Sequence, residues 1–476
     1  MISSREYLER LKAMKPNVYM GGELVSRDHP LIMPGIRVIA LTYDLAQDPQ
    51  YQELLTATSH LNGKRINRFT HIHQSPEDLL KKQEMTRVLT RKTGFCIQRC
   101  MGVDAMNALS VVTWEMDESL GTEYHQRFLN YLEYWQERDI TGCCAQTDAK
   151  GHRKLRPHQQ PDPDAYVRVV KKDAKGIVVR GAKRHITVGS YAEEIIVLPT
   201  RVMTQQEKEW AVAFAVPGDA PGLYLVNRAS APRPRRHLKA PLASFGSSDT
   251  LTIFEDVFVP WERVFMCGET EFAGDLALLF ALFHRHSYTG CKPAVTDVIM
   301  GFTALAAEYH GIEKAQHIQM KLADLIGVAE LVYGAGMAAA VKAKRSASGT
   351  WIPDPVFCNV GRRHAGEHIY HEHHILSEVA GGIPATLPYE DDFFSPELGE
   401  LVNKYTRHRP DIPAEHQHRC FRCIGDLAVS AFGGVWQYAG VHGGGSPIME
   451  TIALLKNYDL EEKKRVAKEL AGIPEE

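Results

Sequence analysis

Three things this chain lacks bound what it can be. It has no long run of one charge sign: 55 Lys and Arg stand against 58 Asp and Glu, for a formal net charge of −3. Nucleic-acid-binding domains carry a basic face or stripe, so a nucleic-acid partner is not expected. It has little continuous apolar sequence. The longest strongly apolar stretch, LALLFALF at 276–283, is far too short to span a bilayer. The opening MISSREYLERLKAMK is charged and amphipathic where a secretory leader has an apolar core. It also lacks a disulfide framework, since its nine cysteines stand at irregular spacings. Together these absences predict a cytoplasmic protein with reduced thiols and no membrane partner. Internal repeats and low-complexity tracts are missing as well.

What is present begins with length. At 476 residues the chain can form two or three domains, or one large subunit with a continuous core. Periodicity predicts amphipathic helices over 3–13, 76–92 and 122–138, and a buried helix over 94–110 (GFCIQRCMGVDAMNALS). The texture changes near 140. YVRVVKK and GIVVRGAK alternate apolar and polar residues around a Lys-Asp-Ala-Lys-Gly turn, and strand-like runs continue to about 265. From 272 long helical patterns return. The fold class is therefore α+β, mainly α, divided as a helical domain (1–140), a β domain (141–270) and a second helical domain (271–476).

Two short runs carry the chemistry. Cys96 and Cys100 stand in FCIQRC, and His284 and Cys291 stand in FHRHSYTGCK. On a helix, i and i+4 place both thiols on one face, and i and i+7 do the same for the second pair. Gly290 and Pro293 weaken a helix there, so a break between two helices serves equally well. Three Cys and one His can hold zinc, or an iron–sulfur cluster in which His replaces one Cys. The plain alternative is buried structural cysteine, because free Cys packs as a small hydrophobe. A second group, Cys420 and Cys423 with His416 and His418, has zinc-like composition but spacing that also suits helix packing. Cys143 and Cys144 fit no pattern.

The element order and these motifs together resemble a known family. ALTYDLAQDPQY (40–51), GKRINRF (63–69), HQSPEDLLKK (73–82), TDAKGHR (147–153), FVPWERVF (258–265), HRHSYTGCK (284–292), AGGIPATLP (380–388) and HGGGSP (442–447) resemble the dehydratase branch of the 4-hydroxyphenylacetate 3-hydroxylase flavoprotein family over nearly the whole chain. That resemblance implies an acyl-CoA dehydrogenase-like architecture, with an N-terminal helical domain, a middle β-barrel-like domain and a C-terminal helical bundle. It implies FAD and a [4Fe-4S] cluster on Cys96, Cys100, His284 and Cys291, which the monooxygenase branch lacks. It implies a homotetramer acting on an acyl-CoA thioester. The implied reaction is radical-type dehydration of 4-hydroxybutyryl-CoA to crotonyl-CoA, or isomerisation of vinylacetyl-CoA. His284 would be the labile ligand and a base, Tyr288 a proton donor, Lys292 a cation near the cluster, and Gln98 a neighbour of flavin or substrate. Thr147, Lys150, His152, Arg153 and Thr187 would meet the flavin. Gly381, Gly382, His442, Gly443, Gly445 and Ser446 would give its phosphates close backbone contact.

The chain departs from that branch at two glutamate positions. One is Asp249, a methylene shorter, and the other is Ala439, which cannot take a proton. Glu450 stands further along, where a solvated or structural role is expected. These departures leave open a relative acting on another hydroxy substrate. The rivals are a flavin-dependent aromatic hydroxylase, a dehydrogenase-like enzyme with structural zinc, and a non-catalytic scaffold.

Overall fold

A computed structural model describes residues 1–474. Local signals account for many of its helix ends. Helix α1 (Pro76–Thr93) starts where the Ser75 hydroxyl accepts the Asp78 N–H and Pro76 fills the first turn, and it stops at Gly94, whose φ is +86°. Helix α2 (Cys100–Leu120) is apolar nearly all round and buried along most of its length. The predicted helix over 94–110 is thus shortened at its start. Cys96 lies in the preceding loop, and Cys100 is the first helical residue. Gln98 sits at φ +62°, a left-handed conformation that a continuous helix excludes.

Helix α3 (Thr270–His310) runs through Gly290 and Pro293 without a break. Pro293 has no N–H for the Thr289 carbonyl, and the Gln83 side-chain amide of α1 donates to that oxygen instead, at 3.4 Å. Gly290 lets the two helices meet. A Cβ there would lie 2.4 Å from the Gln83 carbonyl oxygen and 2.0 Å from Thr86 Oγ1. Helices α4 (Gln316–Val341) and α5 (Pro355–Ala380) pack on α3 and on each other. α6 (Ala414–Ala428), α7 (Ala431–His442) and α8 (Pro447–Asn457) complete the helical part used below. By length and composition α4 could cross a bilayer, but it is packed against α1, α3 and α5 as a core helix is.

The strands of the two larger sheets are β1 (Val18–Met20), β2 (Glu23–Val25), β3 (Gly142–Ala145), β4 (Arg168–Asp173), β5 (Gly176–Thr187), β6 (Glu194–Val197), β7 (Val212–Pro217), β8 (Leu223–Ser230), β9 (Ser247–Pro260) and β10 (Val264–Cys267). One sheet has the order β2-β1-β8-β9-β5-β4, and the other β10-β7-β6-β3. Neither closes on itself, so the expected β-barrel-like domain is two open sheets sharing a core, with Phe214 edge-on to Phe254. The reason lies at the edges. One edge of the larger sheet is taken by the β1–β2 hairpin from the start of the chain, with β1 parallel to β8. The other, β4, ends in exposed Lys172 and Asp173, and such charges discourage further pairing.

Two apolar cores result, one around the sheets and one among α1, α3, α4, α5 and α6. Cys100 belongs to the second core, while Phe280 and Phe283 of α3 belong to the first. The candidate site lies along that seam.

Candidate active site

The chain folds so that both cysteine-containing runs meet. Cys96 is within hydrogen-bonding reach of Cys100 and Cys291, and Cys100 of His284. His284 and Cys291 come from one face of α3. Cys100 stands at the first turn of α2, where free N–H groups and the helix dipole favour negative sulfur. For Cys96, a hydrogen bond from Cys100 favours the thiolate, but Cys291 and burial outweigh it and push the thiol well up. The neighbouring Cys96 and burial push Cys100 well up, against the pull of His284. Among the described residues, the one trio of such donors drawn within 4.8 Å of one another is Cys100, Asp104 and His284. Cys96 and Cys291 fall outside it.

His284 is held from behind. Its Nδ1 donates to Asp104 Oδ2 at 3.0 Å, and Asp104 is fully buried on α2, one turn beyond Cys100. Lys82 of α1 pairs with the other carboxylate oxygen, and Ser287 Oγ donates to both, at 3.0 and 3.1 Å. Phe280 stacks on the imidazole with an interplanar angle of 7°. Burial opposes protonation of His284, but the hydrogen bonds to Asp104 and Cys100 outweigh it and raise its pKa to about 9.

Tyr288, one turn after His284, is half-buried, and removal from water pushes its phenol up. Its hydroxyl donates to the Gly440 carbonyl at 2.8 Å, and the Arg362 guanidinium lies 4.4 Å from its ring centre. Arg362 and Arg285 clasp the loop between α7 and α8 by donating to the Gly443 and Gly444 carbonyls at 2.6 and 2.9 Å. The HGGGSP segment is thereby laid over His284 and Tyr288, with Ser446 opening α8 and the His442 ring beside Tyr438. Glu450 is not solvated. It is 1% exposed, 3.3 Å from Arg362, and burial raises its pKa against the pull of Arg362 and Arg285. Ala439 is exposed on α7. Lys292 is buried and donates to both Glu372 carboxylate oxygens at 2.6 Å and to Thr296 at 2.8 Å, so the pair is neutral as a unit.

A second feature opens on the β side. Thr147, Lys150, Arg153, Arg184 and His185 line a cavity of about 150 Å³. Its walls are strained: Lys150 and His185 have φ of +70° and +61°, and nearby Val188, a β-branched residue, has +72°. The register of β9 on β5 sets Asp249 opposite Thr187, whose hydroxyl donates to it at 2.6 Å. Gln98, between the two thiols in sequence, is tied to the β domain. It accepts from Tyr191 OH at 2.9 Å and donates to the Gly246 carbonyl at 3.4 Å. His152 turns to its own loop, where its backbone N–H donates to Gln160.

The family model described as 4-hydroxyphenylacetate 3-hydroxylase N terminal matches residues 3–266, and its C-terminal counterpart matches 273–472. The chain belongs to the 4-hydroxyphenylacetate 3-hydroxylase family. Within that family it is similar to the 4-hydroxybutyryl-CoA dehydratase/vinylacetyl-CoA-Δ-isomerase of Clostridium aminobutyricum, at 39% identity over 99% of this chain and 100% of that one. It is 32% identical to the oxygenase component of 4-hydroxyphenylacetate 3-monooxygenase from Thermus thermophilus, over 90% of this chain and 88% of the other. Among solved structures, an oxygen-tolerant archaeal 4-hydroxybutyryl-CoA dehydratase from N. maritimus matches with a TM-score of 0.96 and 37% identity, covering 100% and 95% of the two chains. The FAD complex of the oxygenase component of 4-hydroxyphenylacetate 3-monooxygenase matches at 0.89 and 29% identity, covering 99% and 98%.

Against this 4-hydroxyphenylacetate 3-hydroxylase-family background, the structure gathers most of the residues singled out in sequence into two adjoining places. Cys96, Cys100, His284, Tyr288 and Cys291 share the pocket, and Gly443 and Gly445 lie over it. Thr147, Lys150 and Arg153 line the cavity, with Thr187 and Asp249 paired in the sheet. Gly381 and Gly382 stand apart at the exposed end of α5, about two and a half turns past Glu372. Cys420 and Cys423 are buried in the apolar core, and His418 stacks on Phe393 with ring centres 3.6 Å apart, so no zinc-like group forms there. Sequence reasoning missed Asp104, Lys82, Ser287, Arg285, Arg362 and Glu372. One signal was available: Cys96, Cys100 and Asp104 repeat at intervals of four.

Proposed function

We propose that this chain is a lyase/isomerase that uses FAD and a [4Fe-4S] cluster to dehydrate a 4-hydroxyacyl-CoA, with isomerisation of a vinylacetyl-CoA-type substrate in the same site. The observation that carries this reading is the meeting of Cys96, Cys100, His284 and Cys291 in one buried pocket. Its donor chemistry suits the cluster. Burial and neighbouring thiols push Cys96 and Cys100 well up, so they become thiolates together only around a cationic guest. The cavity is sized for only part of an FAD, and Lys150, Arg153 and Arg184 offer there the charge that its pyrophosphate needs. When bound, FAD supplies one-electron chemistry and the cluster a Lewis-acid iron for the leaving hydroxyl.

The chain's own residues do the rest. The three cysteines hold the cluster and His284 offers it Nε2. An imidazole dissociates from iron more readily than a thiolate, so His284 would be the donor released, and its Nε2 would then hold or move a proton. Tyr288 orders the loop over the pocket and presents its phenol beside it. Asp249, held by Thr187, and Gln98 orient groups between cavity and pocket. Lys292 with Glu372 locks α3 onto α5 next to Cys291. Gly381 and Gly382 stand away from the cavity, so a part in flavin binding would need a neighbouring subunit. Exposed Met320, Leu331, Met337 and Val341 on α4 likewise support an assembly, which we take to be a homotetramer.

Ala439 and the shorter Asp249 favour a substrate other than 4-hydroxybutyryl-CoA itself, because neither can put a carboxylate where a glutamate would. The first test is anaerobic purification with iron, acid-labile sulfide and flavin counts. About four iron, four sulfide and one FAD per chain is expected. Flavin with no iron overturns the proposal in favour of an aromatic hydroxylase, and zinc in place of iron makes the four donors structural.

A further inference from the structure

We infer that Asp104 is the positioning residue that aims His284: it fixes the imidazole with its proton on Nδ1 and turns Nε2 toward the thiol pocket, while Lys82 and Ser287 hold Asp104 in turn. This rests on the cluster reading above. By distance alone Asp104 competes to be a ligand, since it shares a 4.8 Å group with Cys100 and His284. Its hydrogen bonds argue otherwise. An ionised carboxylate offers about four lone-pair directions. Here Lys82 takes one, His284 Nδ1 takes another at 3.0 Å, and Ser287 Oγ bridges both oxygens. Three donors already share its two oxygens, so Asp104 is engaged as an acceptor on both, and at 0% exposure no water can exchange for one of these partners.

The same contacts settle the tautomer. A carboxylate paired with Lys82 only accepts hydrogen bonds, so the nitrogen facing it carries the proton. Nε2 is then the nitrogen on the Cys100 side, the one a metal would take by displacing its proton. Phe280, stacked on the ring, removes the remaining freedom to rotate. Each helix supplies a donor and its support: Cys100 and Asp104 on α2, His284 and Ser287 on α3, with Lys82 reaching in from α1. A histidine ligand backed by a carboxylate is a better and better-aimed donor, and loss of such a backing group typically costs about 10–100-fold in metal affinity or activity.

The test compares wild type, the compensated double variant Lys82→Met/Asp104→Asn and Ser287→Ala, all purified anaerobically. The double variant removes both members of the buried pair, so no charge is stranded. Ser287→Ala leaves the pair standing and tests the same contact in a protein that keeps its fold. The readouts are iron and sulfide counts and the ¹⁴N coupling to the reduced cluster in pulsed EPR, with His284→Ala as the reference for its loss. In wild type a single imidazole coupling is expected. In the double variant that coupling disappears and iron falls from about four toward three per chain, with sulfide and flavin retained. In Ser287→Ala the coupling shifts in the same direction. Wild-type iron and coupling in both variants overturns the role of Asp104 and leaves the cluster reading intact. Absence of iron, or of the coupling, from wild type overturns the ligand reading itself.

Discussion

The Lys292–Glu372 pair offers a direct measure of whether a buried charge beside Cys291 serves packing or chemistry. Both side chains are almost wholly buried, at 5% and 0% exposure. At 2.6 Å their attraction is about 6 kcal/mol at an effective dielectric of 20, and the cost of dehydrating two ions offsets most of it. Lys292→Met removes one ion and leaves Glu372 with only Thr296 Oγ1, at 3.0 Å. An uncompensated buried carboxylate of this kind costs about 3–5 kcal/mol. Lys292→Met/Glu372→Met removes both ions and is expected to fall within about 1 kcal/mol of wild type. Urea unfolding of the anaerobic holoprotein, followed by circular dichroism, measures both. If the pair serves packing, iron content and turnover return with stability in the double variant. A single variant as stable as wild type, or a double variant less stable than the single, refutes the argument. A double variant that is stable, loaded with iron and inactive assigns the Lys292 charge a direct role at the pocket.

Acid should release the flavin through Glu207. Burial acts to raise its carboxyl pKa, but hydrogen bonds from Arg156, the Thr204 N–H and His158 outweigh it and hold the value at about 2. With the folded pKa below the unfolded one, this stabilisation is complete above about pH 4.5 and is lost as pH falls toward 2, at most about 3 kcal/mol in all. Arg156 lies just beyond the cavity residue Arg153, so flavin fluorescence should rise across that window, and Glu207→Gln should weaken flavin retention at neutral pH; a variant that retains flavin as wild type does dissociates Glu207 from the cavity. Gly290→Ala forces α1 and α3 apart beside Cys291 and should destabilise the protein by about 1–3 kcal/mol and lower its iron content; unchanged iron and urea midpoint would falsify the close-approach account. Tyr288→Phe leaves the Gly440 carbonyl without its 2.8 Å donor and should cost about 1–3 kcal/mol, with faster hydrogen exchange over 440–446; wild-type exchange there shows that the arginines alone hold the loop.

Element order was legible because it rests on local periodicity, as in α1 and the strands after 140. Where distant partners decide, it was not. Pro293 marks a break in any local reading, and only Gln83, two hundred residues earlier, keeps the Thr289 carbonyl satisfied and α3 whole. Strand alternation announces a sheet but not its closure, which here is prevented by a hairpin from residues 18–25 and by charges on β4. Cys96 and Cys100 were expected on one helix face, yet Gln98 at positive φ, tied to Tyr191 and Gly246, places Cys96 in a loop. Donor residues announce themselves by type, whereas Asp104, Lys82 and Ser287 act by contact across three helices. Glu450 has the composition of a surface carboxylate and was buried by Arg362 and Arg285, which no local pattern connects to it.

The four donors come from two stretches of chain that are made at different times. When Cys96 and Cys100 leave the ribosome, His284 and Cys291 have yet to be synthesised, and about 190 residues at 5–20 per second take roughly 10–40 s. During that interval the first half presents two thiols on an incomplete pocket, next to an Asp104 that has Lys82 but not yet His284 or Ser287. Those thiols are exposed to oxidation or to a stray metal before their partners exist. If the pocket holds the proposed cluster, iron and sulfide are useful only after α3 has docked, so the timing of synthesis, as much as the affinity of the finished pocket, sets the yield of complete centres.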